Sequence, residues 1–248
     1  MDNRDLATKR RAIRPLLDER DPADAAAAYY AFYHADNRTR LFVYPSAAAR
    51  ARGYAAVSRT GIDLFRPLVT LRLPEDDLEG AADLMYEALS PQTAAFIHAP
   101  LDYSPLLHAF FEVQSERSLY LYRLDRRRFE PEINVLVTRS DTPDGLPRFV
   151  VRPTHPDSEG EIGASATVNW QSPHFAEVAV YTNPTYRKRG WGRSVVSSLV
   201  QHLLESGRTP LYEVTQENRP SIQLAQTVGF MNTGAEKVLL EGTLRSRP

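Results

Sequence analysis

The sequence VYTNPTYRKRGWGR, residues 180–193, decides the fold of this 248-residue chain. A run rich in β-branched and aromatic residues, Phe175 to Thr182, enters it and predicts a strand. An amphipathic helix, Trp191 to Ser206, leaves it and is predicted to end before Gly207, as helices do at a C′ glycine. A strand that passes through a short turn directly into a long helix is typical of a mixed α/β domain.

The turn between this strand and this helix has the features of a phosphate-binding site. Amides in the first turn of a helix have no partner inside the helix, and the helix dipole adds partial positive charge there. Gly190 and Gly192 let an anion approach the main chain without interference from a Cβ atom. Four basic side chains add charge, Arg187, Lys188, Arg189 and Arg193. Together these features predict a diphosphate site, although the dinucleotide fingerprint is not matched, since Val195 stands where its third glycine is due.

A second motif follows the next predicted strand, Pro210 to Thr215. Asn218 precedes a short predicted helix, Ser221 to Val228, that ends in Gly229-Phe230. Together with Arg187-x-x-Gly190-x-Gly192 in the first motif, this pattern resembles the GCN5-related N-acetyltransferase (GNAT) superfamily over residues 130–243. The resemblance implies that the strand before the basic turn diverges from the next parallel strand, and that coenzyme A lies in the gap.

The resemblance also implies which residues hold the co-substrate, acetyl-CoA. The diverging strand offers main-chain groups to the pantetheine arm, the amides of residues 189–194 hold the pyrophosphate, and Asn218 contacts the pantetheine with help from Ser221. The implied cofactor-binding residues are Val180, Tyr181, Thr182, Arg187, Lys188, Arg189, Gly190, Trp191, Gly192, Arg193, Ser194, Asn218 and Ser221. Two of them keep an alternative role, because Trp191 suits packing of the helix onto the sheet and Asn218 suits a helix cap.

Acetyl transfer to an amine requires a neutral nucleophile, whereas a lysine-like ammonium has a pKa of about 10.4, so a base must accept a proton. By resemblance, Glu213 is the first candidate and Glu177 the second; a solvated or ion-paired carboxylate is the alternative for each. Many family members place a general-acid tyrosine where this sequence has Ala225, which leaves Tyr212 or Tyr181 as a substitute. The alternative for both is a packing tyrosine with a bonded hydroxyl.

Composition excludes several other classes of function. The 30 Lys and Arg residues against 31 Asp and Glu give a net charge of -1, which argues against a nucleic-acid partner held by bulk positive charge. The chain has no cysteine, and no metal is expected, because its histidines show no metal-ligand spacing. These histidines are His34, His98, His108, His155, His174 and His202. No apolar run approaches the roughly 20 residues of a membrane helix, and no secretory signal is recognised, so we expect no membrane partner and a cytoplasmic location.

The first half carries neither motif, but its helices and strands alternate, which predicts an α/β arrangement. The predicted helices are Ala23–Ala35 (capped at Asp21-Pro22), Ser46–Ser58, Glu75–Leu89 and Ser104–Glu112. The predicted strands are Thr39–Tyr44, Leu64–Leu73, Thr93–His98 and Ser118–Arg123.

A charged stretch, Leu124 to Arg128, predicts a boundary between two domains. Residues 1–128 form the first domain, which is either a degenerate copy of the second or an unrelated α/β module. Residues 129–248 form the acetyltransferase-like domain. Its remaining predicted strands are Ile133–Thr138, Arg148–Arg152, Ile162–Trp170 and two short strands after Gly229.

The sequence therefore predicts a mixed α/β protein whose C-terminal domain has splayed central strands and moves an acetyl group from acetyl-CoA to an amine by direct attack on the thioester. The expected acceptor is an amine on a small molecule, peptide or protein. The first alternative is a non-catalytic acyl-CoA-binding or sensing protein. The second is an interaction module with a vestigial site.

Overall fold

The structure, a computed structural model, describes residues 3–46, 49–61, 63–132, 134, 136–154 and 160–247. Helices and strands are mixed throughout these residues, which confirms the predicted fold class. The helices are α1 (Asn3–Ile13), α2 (Ala25–Ala28, continued as a π-helix over Tyr29–Tyr33), α3 (Leu78–Ala88), α4 (Ser104–Phe110), α5 (Trp191–Glu205) and α6 (Arg219–Val228). The strands are β1 (Thr39–Tyr44), β2 (Gly53–Ser58), β3 (Leu68–Arg72), β4 (Ala94–Pro100), β5 (Phe111–Leu124), β6 (Val137–Arg139), β7 (Arg148–Val151), β8 (Ala164–Gln171), β9 (Phe175–Thr182), β10 (Thr209–Thr215) and β11 (Phe230–Leu244).

The chain forms two compact units, and the first is discontinuous in sequence. It comprises Met1–Leu119 and Glu236–Pro248, and the second comprises Tyr120–Ala235. Both boundaries fall inside long strands, β5 and β11, so each of these strands contributes residues to both units. Compactness alone does not define a domain that folds independently, and the predicted division at residue 128 stays a prediction.

In the first unit the strands lie in the order β1-β2-β3-β4-β11-β5. β3 and β4 are parallel and are connected through α3, whereas β11 pairs antiparallel with β4. The buried face of α3, including Leu84 and Met85, packs on one side of the sheet. On the other side, Leu6 and Ile13 of α1 pack against Leu41 of β1. A sheet covered by helices on both sides encloses two apolar layers.

In the second unit the strands lie in the order β5-β10-β9-β8-β7-β6, and α5 connects β9 to its parallel neighbour β10. Helices α5 and α6 share one apolar cluster with the strands. Pairing between β9 and β10 ends at Glu177 and Leu211, although β9 continues to Thr182 and β10 to Thr215. The central strands therefore diverge toward their carboxyl ends, which confirms the predicted splay.

The predicted helix Ser46–Ser58 is wrong, because Gly53–Ser58 form strand β2. Every residue of β2 is buried. A strand buried on both faces lacks the alternation of polar and apolar residues by which a half-exposed strand is recognised. The two alanines and flanking apolar residues of this segment therefore imitate a buried helix in sequence.

Two further differences concern the ends of the chain. Helix α1, Asn3–Ile13, was not predicted from its polar sequence, and the two short strands predicted after Gly229 are one strand, Phe230–Leu244. Gly234 inside that strand has φ 81°, a conformation normally found at turns, and this explains why the sequence predicts a break. The predicted strand at Ile133–Thr138 is observed at Val137–Arg139, and Ile133 lies outside the described residues.

Helix α2 begins later than predicted. Its N-cap is Asp24, while the Asp21 carboxylate accepts from the amide of Ala23 in the preceding turn. Within the part of the chain that the structure describes, none of the helices combines the length and the apolar character that crossing a bilayer requires.

Candidate functional site

At the start of α5 the main chain is accessible at Gly190, as the sequence predicts. Gly190 is the N-cap residue with φ 80°, a left-handed conformation that favours glycine. A Cβ atom built on Gly190 would meet no heavy atom within 4 Å. Because a glycine cap has no side chain to bond the amides of the first turn, those amides remain donors for another acceptor.

Gly192 is required for a different reason than the one the sequence suggests. A Cβ atom at this position would lie 2.9 Å from Thr182 Oγ1 and 3.6 Å from a methyl carbon of Leu224. Its Cα therefore faces β9 and α6, not an open approach for an anion. Glycine here lets α5 pack closely against the diverging strand.

The amide of Ser194 was predicted to bind the pyrophosphate, and the structure corrects this prediction. Its amide donates to the Gly190 carbonyl at 3.1 Å and closes the first turn of the helix. Its side chain is buried, and its hydroxyl donates to Glu132 Oε1 at 2.8 Å. The amides that the first turn leaves to a ligand are those of Trp191, Gly192 and Arg193.

The basic side chains of the turn are exposed, and one of them is held by aromatic rings. The Arg189 guanidinium lies 5.2 Å from the centre of the Tyr186 ring and 5.5 Å from that of Trp191. These two rings are stacked, and the Tyr186 hydroxyl donates to Glu161 Oε2 at 2.9 Å. Cation–π contacts of this kind fix the position of an arginine without neutralising its charge.

Trp191 also packs against the sheet, as its alternative role predicts. A Cβ atom on Gly163 would lie 2.3 Å from a carbon of the Trp191 ring, so the indole covers the backbone just before β8. The ring is partly buried and belongs to the apolar cluster of this unit.

Beyond Glu177, β9 is paired with a strand on one side and not on the other. On one side, Val180 and Thr182 pair with Ala166 and Ala164 of β8. On the other side, pairing with β10 has already ended. Main-chain groups on that side of β9 point into the divergence between the strands. Tyr181, on the opposite face of β9 from its two neighbours, is 54% exposed.

Asn218 caps α6, which confirms its alternative role. Its Oδ1 accepts from the Ser221 amide at 3.2 Å, and the helix begins at Arg219-Pro220. The Ser221 hydroxyl lies 2.7 Å from the Tyr212 hydroxyl and shares a hydrogen bond with it. Both predicted contacts to pantetheine stay predictions.

Tyr212 has the environment of a packing residue. It is 2% exposed, its ring lies 5.6 Å from that of Phe230, and its hydroxyl is bonded to Ser221. Burial raises the pKa of this phenol above its ordinary value. These contacts favour the alternative of a bonded core tyrosine.

The two candidate carboxylates lie on one face of the sheet, away from Tyr212. Glu177 is in register with Leu211, and Glu213 follows Leu211 by two residues, so all three side chains project to the same side. Tyr212 and Val214 project to the other side, into the cluster under α5 and α6. Both glutamates are half-buried, and Asn169 donates to Glu177 Oε1 at 3.3 Å. The structure thus places the two glutamates on one face of the sheet and Tyr212 on the other.

Sequence reasoning missed Glu132. Its Oε1 accepts from the Ser194 hydroxyl, and its Oε2 forms an ion pair with Arg193, whose Nε lies 3.0 Å away. Its amide donates to the Ser197 hydroxyl at 3.0 Å. Glu132 lies outside every predicted element and about sixty residues before its partners, so no local pattern identifies it.

No group of three or more potential metal ligands occurs among the described residues. His155, one of the histidines considered above, lies outside them.

Comparison with known proteins agrees with this geometry. The FR47-like protein family model matches residues 159–239, which contain the basic turn, α5 and α6. Among curated protein sequences, no significant match is found.

Solved structures resemble the chain over most of its length. A Drosophila protein is 10% identical with a TM-score of 0.71, and the match covers 99% of this chain and 98% of that one. A GCN5-related N-acetyltransferase from Kribbella flavida is 15% identical with a TM-score of 0.60, over 88% and 93% of the two chains. A tandem GNAT protein from the clavulanic acid biosynthesis pathway is 12% identical with a TM-score of 0.59, over 100% and 97%.

The fold is that of a mixed α/β protein and is similar to the folds of solved GNAT proteins. The family match and the structural likeness confirm the resemblance of the C-terminal half to the GNAT superfamily. The likeness to a tandem GNAT protein spans the whole chain. Both alternatives for the first half stay predictions.

Proposed function

We propose that the chain is an acetyl-CoA-dependent N-acetyltransferase whose cofactor site lies in the second unit. Two neighbouring features carry the proposal. The pairing of β9 with β10 ends at Glu177 and Leu211, and the N-cap residue of α5 is a glycine, which has no side chain to bond the first amides of the helix. A diverging strand supplies main-chain groups for pantetheine, and a helix start supplies amides for a diphosphate. Both features occur at the carboxyl end of β9.

The residues of the site fit coenzyme A. The amides of Trp191, Gly192 and Arg193 are the donors for the diphosphate, and the open space above Gly190 admits it. Arg189, held on its aromatic rings, adds positive charge at the cap. The β9 edge near Val180 is the place for the pantetheine arm.

The reaction forms one bond and breaks one. The acceptor nitrogen bonds to the thioester carbonyl carbon, the carbon–sulfur bond breaks, the thiolate leaves, and the amine loses a proton. Glu213 is the first candidate to accept that proton because it lies two residues beyond the last β9–β10 pair. Glu177 is the second. A proton donor to the thiolate is not obligatory, since thiols are acidic enough to leave largely unaided.

The acceptor is an amine on a small molecule, a peptide or a protein. Half-buried carboxylates on the same face of β9 and β10 favour an acceptor that carries positive charge before reaction.

A matched pair of glycine variants tests the site. Gly190 and Gly207 flank α5, both have φ 80°, and neither has a heavy atom within 4 Å of a built Cβ. Gly190→Phe and Gly207→Phe therefore carry similar backbone strain. We expect calorimetry to show coenzyme A affinity lowered by about 100-fold or more for Gly190→Phe. Gly207→Phe is expected to bind like the wild type, and equal binding by both variants would refute the site.

Transfer is tested by release of free thiol from acetyl-CoA across a panel of amines. Glu213→Gln is expected to lower kcat by about 100-fold, the contribution typical of a general base, without changing the KM for acetyl-CoA. Glu177→Gln is the matched variant, because it replaces the second candidate carboxylate in the same way. Unaltered turnover of Glu213→Gln from pH 6 to pH 9 would remove Glu213 from the mechanism.

One observation favours a second candidate function, a non-catalytic acyl-CoA-binding protein. Ala225 occupies the position of the family's general-acid tyrosine, and Tyr212 is bonded within the core. Tight acetyl-CoA binding without thiol release for any amine would support this function.

A further inference from the structure

The carboxylate of Glu132 is fixed at two points beside the first turn of α5. One oxygen accepts from the buried Ser194 hydroxyl at 2.8 Å, and the other forms an ion pair with Arg193, whose Nε lies 3.0 Å away. The same serine hydroxyl accepts from Asn134 Nδ2 at 3.1 Å. The amide of Glu132 is also bonded, to Ser197 one turn further along the helix. Glu132 and Asn134, both before β6, therefore contact α5, and these contacts hold the carboxylate in place.

The consequence for Arg193 follows from the shape of its guanidinium. An arginine has five N–H donors, and Nε is the one that faces Glu132. Among the described residues, the four donors on its two terminal nitrogens have no partner. Arg193 is 45% exposed at its side chain and is the third residue of α5, in the turn whose amides point to the candidate diphosphate site.

We propose that Glu132 is a positioning residue that holds Arg193 ready for the diphosphate of coenzyme A. The inference rests on the proposed function and deepens it by naming a residue that acts through another. A long side chain that is already held in its bound orientation loses less rotamer freedom when the ligand binds. Glu132 thus supports affinity for the diphosphate without touching it.

The negative charge of Glu132 has an opposite effect that must be weighed. A carboxylate near a diphosphate repels it, so removal of the charge by itself strengthens binding. Both members of the pair are partly exposed, at 34% for Glu132 and 45% for Arg193, and repulsion between groups in contact with water is screened by salt. The contact between Glu132 and Arg193 spans 3.0 Å, less than the Debye length, so salt screens it less than it screens repulsion over a longer distance. We therefore expect positioning to dominate, most clearly at high ionic strength.

The experiment compares Glu132→Gln with the wild type at about 0.5 M salt, where the Debye length falls below about 5 Å. We expect the Kd for coenzyme A and the KM for acetyl-CoA to rise about threefold to tenfold, while kcat stays unchanged. With acetyl-pantetheine, which lacks the diphosphate, the KM should not change. A general structural defect would raise both KM values.

Two further variants make the result specific. Asp141→Asn breaks a comparable ion pair, in which Arg139 Nε lies 2.7 Å from Asp141 Oδ1, and should leave every parameter unchanged. In an Arg193→Ala background, Glu132→Gln should have no additional effect on the Kd.

Three outcomes overturn the inference while leaving the proposed function intact. They are a wild type that binds coenzyme A but is unaffected by Glu132→Gln, a Glu132→Gln variant that binds more tightly, and equal losses with acetyl-CoA and acetyl-pantetheine. A wild type that fails to bind coenzyme A refutes the proposed function itself.

Discussion

The starts of helices α5 and α3 have the same place in their units and opposite chemistry. Each helix follows one strand of a parallel pair and precedes the other, β9 and β10 for α5 and β3 and β4 for α3. The α5 start has an open glycine cap and a basic turn. The α3 start has the acidic sequence Glu75-Asp76-Asp77.

The α3 start is closed by its own residues. The Asp77 side chain caps the helix by accepting from the Gly80 amide at 2.8 Å. The Tyr44 hydroxyl donates to the other Asp77 oxygen, and Arg52 pairs with the same carboxylate. A Cβ atom on Gly80 would lie 2.5 Å from the Tyr44 ring, so the ring covers the first turn.

This difference teaches that the fold by itself does not make a diphosphate site. A helix start binds an anion when its amides are unoccupied and its surroundings are not acidic. Of these two helix starts, that of α5 meets both conditions and that of α3 meets neither. We therefore expect one coenzyme A per chain.

The largest expected effect comes from making the α5 turn acidic, as the α3 turn is. Replacing Arg187, Lys188 and Arg189 together by glutamate changes the local charge by six units and places anions where a diphosphate binds. Calorimetry should show coenzyme A affinity reduced by about 1000-fold or below detection. Retained coenzyme A affinity in the variant would contradict the difference inferred between the α5 and α3 starts.

A smaller effect is expected at the start of α3, where a substitution should change the stability of the fold and not coenzyme A binding. Gly80→Ala places a methyl group against the Tyr44 ring and should destabilise the fold by about 1 kcal/mol or more, despite the helix propensity of alanine. Thermal unfolding measures the loss, and coenzyme A affinity should stay that of the wild type.

The double variant Tyr44→Ala/Gly80→Ala provides the control for that prediction. Removal of the ring removes the shortest contact, whereas Asp77 Cγ at 2.8 Å stays, so Gly80→Ala should cost less in the Tyr44→Ala background than in the wild type. A loss as large as that in the wild type would show that the ring does not close the α3 start.

The smallest effect is the pH dependence of the Asp77 cap. The bond from the Gly80 amide is the largest cause that holds the pKa of Asp77 below its ordinary value. A carboxyl with a depressed folded-state pKa contributes stability above its unfolded pKa of about 3.9, and that stability is lost as the pH falls through the folded value. Asp77→Asn keeps a cap but removes the titration.

The measurement is the difference in Tm between wild type and Asp77→Asn. We expect wild type to have the higher Tm at pH 6 and the difference to shrink below about pH 4. A difference that is constant from pH 6 to pH 2 would show that Asp77 does not stabilise the α3 start through its charge.

Sequence reasoning succeeded where the signal is local. Phe175–Thr182 form a strand over the predicted range, and α5 begins at the predicted residue Trp191. Alternation, helix periodicity and glycine placement are properties of neighbouring residues, so they can be read along the chain.

It failed where the cause is distant in sequence. The face of Tyr212 depends on strand register, the need for Gly192 depends on Thr182, and the role of Glu132 depends on Arg193. These contacts are made by tertiary packing, which no local pattern records.

The most direct test of the central claim is a crystal structure of the chain with coenzyme A. We predict one ligand per chain, with diphosphate oxygens within hydrogen-bond distance of the amides of Trp191, Gly192 and Arg193 and nothing bound at the start of α3. A diphosphate bound elsewhere, or an α5 turn occupied by side chains of the protein itself, would contradict the account.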